Sequence, residues 1–149
     1  MKINLTLKIW GLAVTLLALT GCSSVPMAPK EQDAASKTFK TSSPNLAGIY
    51  IYRNSFMGQA LKKDLSVDGV KIGTTSNKVY FHKELTPGPH TVSTESEFGD
   101  NALTFMAESG KNYYFRQYIK LGLLLGGSGI ESVTETDGRE AVLECDEAK

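Results

Sequence analysis

The chain has 149 residues, with 16 basic against 16 acidic side chains and two cysteines. That length is one domain's worth and enough for a packed core. A balanced charge without a basic block argues against nucleic acid as a partner.

Met1-Lys2, with Lys8 behind it, precedes an apolar run over residues 9–19. Basic start, apolar run and small residues, in that order, are the layout of a secretory signal peptide. The run counts 11 residues, against the ~20 a helix needs to cross the hydrocarbon layer. A spanning helix is therefore not expected. Leu19-Thr20-Gly21-Cys22 resembles the lipobox of bacterial lipoproteins. The resemblance implies cleavage between Gly21 and Cys22, a diacylglycerol on the Cys22 thiol and acylation of the freed amine. Acyl chains contribute ~0.8 kcal/mol per buried CH₂, so more than one chain anchors durably. Ser23 stands where an Asp usually retains a Gram-negative lipoprotein in the inner membrane. The implied location is the bacterial cell envelope, lipid-anchored to the outer membrane and facing the periplasm.

Without residues 1–21 the chain keeps 128 residues and loses Lys2 and Lys8, for a net charge of −2. With Cys22 acylated, Cys145 has no intramolecular disulfide partner. A buried or idle thiol is expected there.

Residues 23–45 read as a flexible tether, holding three of the five prolines among Ser, Thr, Lys and Ala. Such a chain spans ~25 Å root-mean-square. Residues 34–39 allow one helical turn, with Phe39 as a docking point. The expected organisation is a signal peptide over 1–21, a lipidated N-terminus and tether over 22–45, and a β-sandwich domain over 46–149.

Ile49 and Ile51 alternate with Tyr50 and Tyr52, which predicts a strand covered on both faces. Leu61, Lys63, Leu65 and Val67 alternate with polar residues up to Asp68-Gly69, and Val70 and Ile72 follow. Asp-Gly supplies the positive φ angles of a type I′ hairpin turn. A two-residue loop places Val67 opposite Val70 and Leu65 opposite Ile72, all on one apolar face. Further strands are predicted over 78–85, with Val79 and Phe81 on one face, over 90–97, and through Leu103, Phe105 and Ala107. Turns fall at residues 86–89 and at Phe98-Gly99-Asp100. The longest strand covers 112–121, with Tyr113, Phe115 and Ile119 on one face and Tyr114, Arg116 and Tyr118 on the other. Residues 121–129 read as a strand end and a Gly loop, and 130–134 as a short last strand. Asp137 with Glu140 is a capping-box pattern, so a short helix is expected over 139–145. About seven to eight short strands spaced by turns describe an antiparallel β-sandwich with a short C-terminal helix.

Candidate chemistry is sparse. The Gly loop lacks the Lys-Ser/Thr of a phosphate loop. His82 and His90 flank the Pro87-Gly88 turn, but with Glu84 nearby they make an incomplete zinc set. No Ser stands in a nucleophile elbow, and Cys145 has no basic sequence neighbour. Glu95 and Glu97 read as a solvated polar face rather than a glycosidase pair. Catalytic, metal and cofactor residues are therefore assigned to none, and the chain is not expected to be an enzyme. Tyr50, Tyr52, Tyr80, Tyr114 and Tyr118 can pack the sheet faces or form a platform for a ligand or cell-wall sugar.

The pattern Gly48-Ile49-Tyr50-Ile51-Tyr52-Arg53, Leu65-x-Val67-Asp68-Gly69-x-x-Ile72-Gly73, Tyr80-Phe81 and Leu85-x-Pro87-Gly88-x-His90-x-Val92 resembles a family of bacterial lipoproteins known as a domain of unknown function. The resemblance covers roughly 37–145. The Asp-Gly and Pro-Gly-x-His turns are also similar to surface-associated β-sandwich repeats of envelope proteins. Turn motifs imply a fold rather than a reaction, and the family carries over no catalytic residue. The combined expectation is a lipid-anchored envelope binding module that meets an envelope protein or the cell wall through a sheet edge or the Gly loop. Small-ligand or sugar binding on the tyrosine face is the alternative.

Overall fold

The computed structural model describes residues 25–41, 43–96, 101–120 and 126–149. The lipobox with Gly21 and Cys22, the Phe98-Gly99-Asp100 turn, Glu97 and the apolar half of the Gly loop lie outside the described residues. In order the elements are α1 (Lys30–Ser36), β1 (Ala47–Arg53), β2 (Lys63–Val67), β3 (Val70–Thr75), β4 (Val79–Leu85), β5 (Gly88–Thr94), β6 (Asn101–Ala107), β7 (Asn112–Lys120), β8 (Gly127–Val133), α2 (Glu135–Leu143) and β9 (Asp146–Glu147). A five-stranded sheet, β8-β7-β1-β4-β9, faces a four-stranded one, β3-β2-β5-β6. Among the described residues no helix is long and apolar enough to cross a membrane.

The alternation of β1 builds two separate cores. Ile49 and Ile51 point between the sheets, where they join Val79, Phe81 and Phe115 against Leu65, Val67 and Val92. Each such side chain contributes ~1.5–3 kcal/mol when fully buried. Tyr50 and Tyr52 point to the opposite side with Tyr80 and Tyr114, under Ala141, Val142 and Cys145 of the C-terminal segment. The domain is therefore a sandwich with a third, helical layer over its five-stranded sheet.

An antiparallel sandwich was expected, and most strand pairs among the described residues are antiparallel, but two are parallel. β1 pairs in parallel with β7, and β4 in parallel with β9. The chain visits the second sheet between β1 and β7, which gives it the length that a parallel return requires. β9 itself was not expected, which brings the strands among the described residues to nine.

The hairpin turn forms as predicted, with φ of 51° at Asp68 and 77° at Gly69. Its register does not hold throughout. Val67 faces Val70, but Leu65 faces Gly73, because a bulge displaces Ile72. Val70 sits at the tip and is 67% exposed, so it leaves the apolar face assigned to it. Gly73 takes the place opposite Leu65 that was expected of Ile72, and a Cβ there would collide with the Phe81 ring.

Three further expectations need correction. Residues 127–129 belong to β8 rather than to the Gly loop. The Ser128 hydroxyl is used there, bonded to Thr94 Oγ1 at 2.9 Å and to the Glu95 carbonyl. α2 begins at Glu135, four residues before the predicted start, because Thr134 and not Asp137 is its N-cap. The Thr134 side chain accepts from the Asp137 amide at 3.2 Å.

The third concerns the tether, whose described part, 25–41, packs on the domain. Val25 is 4% exposed within the inter-sheet core. Met27 bridges Ala148, with Ala28 N donating to Glu147 O at 2.9 Å and Lys149 N to Pro26 O at 2.8 Å. This short pairing covers the edge that β9 would otherwise leave open. α1 follows, and the Phe39 ring packs tilted against Tyr50 with centroids 5.4 Å apart, the docking role expected of it.

Candidate functional site

Tyr50, Tyr52, Tyr80 and Tyr114 are 0–3% exposed. The helices cover them, so these four pack the sheet face, the first of the two readings, and a platform built on them is closed, while Tyr118 stays half-buried. Tyr50 stacks on Tyr114 at 5.2 Å and on His82 at 4.5 Å. Its hydroxyl donates to Ser36 O at 2.8 Å. Burial holds the Tyr50 and Tyr80 phenols far above their usual range, so both stay neutral donors. Desolvation also lowers the pKa of His82, whose Nδ1 meets Ser36 Oγ at 3.2 Å.

The two histidines do not approach one another as a site. His82 belongs to β4 of the five-stranded sheet, His90 to β5 of the other. His90 is held between Asp68 Oδ2 at 2.6 Å and Thr86 O at 2.8 Å. It links two turns and faces no ligand set. Among the described residues no group of three or more His, Cys, Asp or Glu is arranged to hold a metal ion. Cys145 is buried, with Sγ 3.9 Å from Arg53 O, and burial pushes its thiol up to about 12. At neutral pH it is a thiol, not a nucleophilic thiolate.

What the surface does offer is a groove on the outer face of β7 and β8. Alternation turns Phe115, Gln117 and Ile119 inward and Arg116 and Tyr118 outward. The register sets Arg116 opposite Glu131, and Tyr118 opposite Gly129. Arg116 and Glu131 form an ion pair at 3.3 Å, both nearly half exposed. Gly129 leaves room for the Tyr118 ring, since a Cβ there would lie 2.5 Å from the ring carbon Cζ. Lys120 Nζ sits 5.7 Å from the same ring centroid.

Two clefts meet at the Arg116–Glu131 pair. One, about 460 Å³, is walled by Tyr52, Asn54 and Val133 on one side and by the Asp137, Glu140 and Glu144 face of α2 on the other. The second, about 440 Å³, runs past Tyr118 and Ile119 to Ser55 and Met57. The second wall is set from inside the protein. Arg53 is fully buried, and its Nη2 donates to the carbonyls of Gly58 at 2.6 Å and Leu61 at 2.7 Å. That fastens the loop carrying Phe56, 90% exposed, and Met57, 48% exposed.

On the α2 side the base is fixed by helix-to-sheet contact. Gly138 lies directly on Tyr114, where a Cβ would collide with the tyrosine's Cβ and Cγ. Arg139 Nε donates to Tyr114 Oη at 3.2 Å. Arg116 pairs with Glu131 and Lys78 with Glu144 at 2.8 Å, which leaves Asp137 and Glu140 to give the first cleft a mildly acidic field that favours cationic or donor-rich groups. No nucleophile, base and orienting group converge in it.

Sequence alone exposed one part of this groove. Strand alternation put Arg116 and Tyr118 on one face, but Glu131 and Gly129 stood in segments read as strand and loop without a known register. The 54–57 loop carried no signal beyond its two apolar residues.

A two-sheet β domain with a helical cover and a surface groove is the class that these observations define. Residues 43–128 match the family described as protein of unknown function DUF2846. An uncharacterized protein of Haemophilus influenzae (strain ATCC 51907 / DSM 11121 / KW20 / Rd) is 45% identical over 126 residues, covering 85% of this chain and 75% of the relative. No solved structure matches. The chain belongs to the DUF2846 family.

Proposed function

We propose that this protein is a lipid-anchored envelope interaction module, not an enzyme, that receives another envelope component in the β7–β8 groove. The observation that carries the reading is the pair of clefts meeting at Arg116 and Glu131, with exposed Phe56 and Met57 at one end and the acidic face of α2 at the other. An extended segment with basic or amide groups and one apolar side chain fits that surface. Anchoring rests on Leu19-Thr20-Gly21-Cys22, with acylation at Cys22 and the outer membrane, periplasmic side, as the address. The experiment is in-cell photocrosslinking from position 118. A discrete adduct that disappears in the Arg116→Glu variant supports the groove. A ladder indifferent to that change counts against it.

A further inference from the structure

We propose that the edge formed by residues 25–30 and Lys149 is the membrane-facing surface of the domain, held against the bilayer that carries the anchor. The proposal rests on the reading of Cys22 as the acylated residue and adds to it which way the domain faces. Residues 23 and 24 are all that separate Cys22 from Val25. Val25 is locked in the inter-sheet core, and the chain behind it is paired through Pro26, Met27 and Ala28 to Glu147, Ala148 and Lys149. Three residue steps reach at most about 11 Å. A compact chain of this size has a radius of gyration of about 14 Å. The lead is thus shorter than the body it holds, and the body cannot roll its other faces onto the lipid.

Four features make this edge a fixed point rather than a loose end. Asp33 of α1 accepts hydrogen bonds from Tyr80 Oη at 2.9 Å and from the Glu147 amide at 3.0 Å. Gln32 donates to Glu147 at 2.7 Å. Asn112 Nδ2 donates to Phe39 O at 2.7 Å. Together they clamp the segment along its length.

Exposed Met27 lies beside the cations Lys30 and Lys149, with Glu31 and Asp146 also exposed there. The exposed side chains carry two charges of each sign and Asp33 and Glu147 add no cation, so the short lead and not attraction to anionic lipid sets the face. The orientation is therefore independent of anionic lipid and of salt. It has a consequence for the groove. β8 and β9 are opposite edges of the five-stranded sheet, four strand spacings or roughly 19 Å apart. The Arg116–Glu131 end of the groove therefore lies at the edge far from the lipid, while the α2 end of the first cleft, at Glu144, reaches back toward β9.

The test uses the full-length acylated protein in zwitterionic phosphatidylcholine vesicles doped with a headgroup energy acceptor. Donor dyes are placed singly at Met27→Cys and Ser132→Cys, both exposed positions, and buried Cys145 stays unlabelled. Transfer from position 27 is expected to exceed that from position 132 roughly twofold, given the strand spacings between them, and to persist in high salt. Inserting a Gly/Ser run between Ser24 and Val25 is expected to erase the difference. Vesicle-bound protein with equal transfer from both positions, or more from 132, overturns the orientation alone. Protein that carries no lipid by mass and fails to float with vesicles overturns the anchoring reading, and the orientation with it.

Discussion

The Asp33 carboxylate accepts a hydrogen bond from the Tyr80 hydroxyl at 2.9 Å, which joins an N-terminal helix to the middle of the domain. The same oxygen takes the Glu147 amide at 3.0 Å, and the other oxygen takes Lys37 Nζ at 2.8 Å. Burial alone would raise the Asp33 pKa, but hydrogen bonds from Lys37, Tyr80 and the Glu147 amide together hold it below the usual carboxylate value. A depressed folded pKa contributes stability above the unfolded value of about 3.9 and loses it as pH falls through the folded one. Asp33→Ala is expected to cost about 1–2 kcal/mol at pH 7. Protease cleavage before residue 41 should rise with it. Urea melts at pH 7 and pH 3 check the sign, because the deficit of the variant should be smaller in acid than at pH 7.

Gly138→Ala pits two effects against each other. Alanine favours a helix interior over glycine by about 1 kcal/mol. Here the new Cβ enters the space of Tyr114 Cβ and Cγ, which are not a flexible side-chain end. Overpacking of that kind costs about 1–3 kcal/mol and is expected to win. Thermal melting should show a lower Tm, with α2 lifted from the tyrosine layer and the first cleft widened.

A buried polar chain crosses the end of the sandwich. Thr75 Oγ1 donates to Gln117 Oε1 at 2.5 Å, and Gln117 Nε2 donates to Thr94 Oγ1 at 2.6 Å, which also meets Ser128 Oγ at 2.9 Å. Thr94→Val keeps the shape and leaves Gln117 and Ser128 short of a partner. A loss of about 1–3 kcal/mol is expected, since buried unsatisfied groups carry their desolvation cost. Chemical denaturation checks it. Replacing Thr94 by Ser should recover most of the loss.

The two ring nitrogens of His90 face acceptors alone, the Asp68 carboxylate at 2.6 Å and the Thr86 carbonyl at 2.8 Å, so both contacts are hydrogen bonds only when both nitrogens carry a proton. That arrangement needs the imidazolium. The hydrogen bond to Asp68 is the main reason its pKa is raised, and the same bond lowers that of Asp68. With a raised folded pKa, the His90 contribution is complete below about 6.5 and fades as pH rises through the folded value. The Asp68 contribution is present above about 3.9 and is lost as pH falls. The hairpin link is therefore strongest in mild acid, by up to about 1 kcal/mol for a surface pair. Melting from pH 5 to pH 9 should show a decline in the parent that His90→Gln lacks; parallel curves would contradict the assignment.

Local chemistry made part of this fold legible. Asp68-Gly69 needs only its own φ preferences, and the Ile/Tyr alternation of β1 carries both cores in seven residues. Contacts between distant segments were not legible. Residues 26–28 read as a tether because their pairing partners, Glu147 and Lys149, lie at the other end of the sequence. Pro29 followed by Glu31 and Asp33 was the available sign of a helix start. Thr134 and Asp137 each head a capping pattern, and only the packing of Gly138 on Tyr114 chooses between them. Residues 127–129 looked like a loop because glycine and serine are poor strand formers. There, glycine makes room for Tyr118, and serine completes a buried hydrogen-bond chain.

The central claim is an anchor at Cys22 on a domain that begins almost at once behind it. Metabolic labelling with palmitate, followed by membrane fractionation of the parent and of Cys22→Ser, addresses it most directly. A labelled parent in the outer-membrane fraction and an unlabelled variant outside it are expected. A parent that takes up no label, or a variant that fractionates as the parent does, would contradict it.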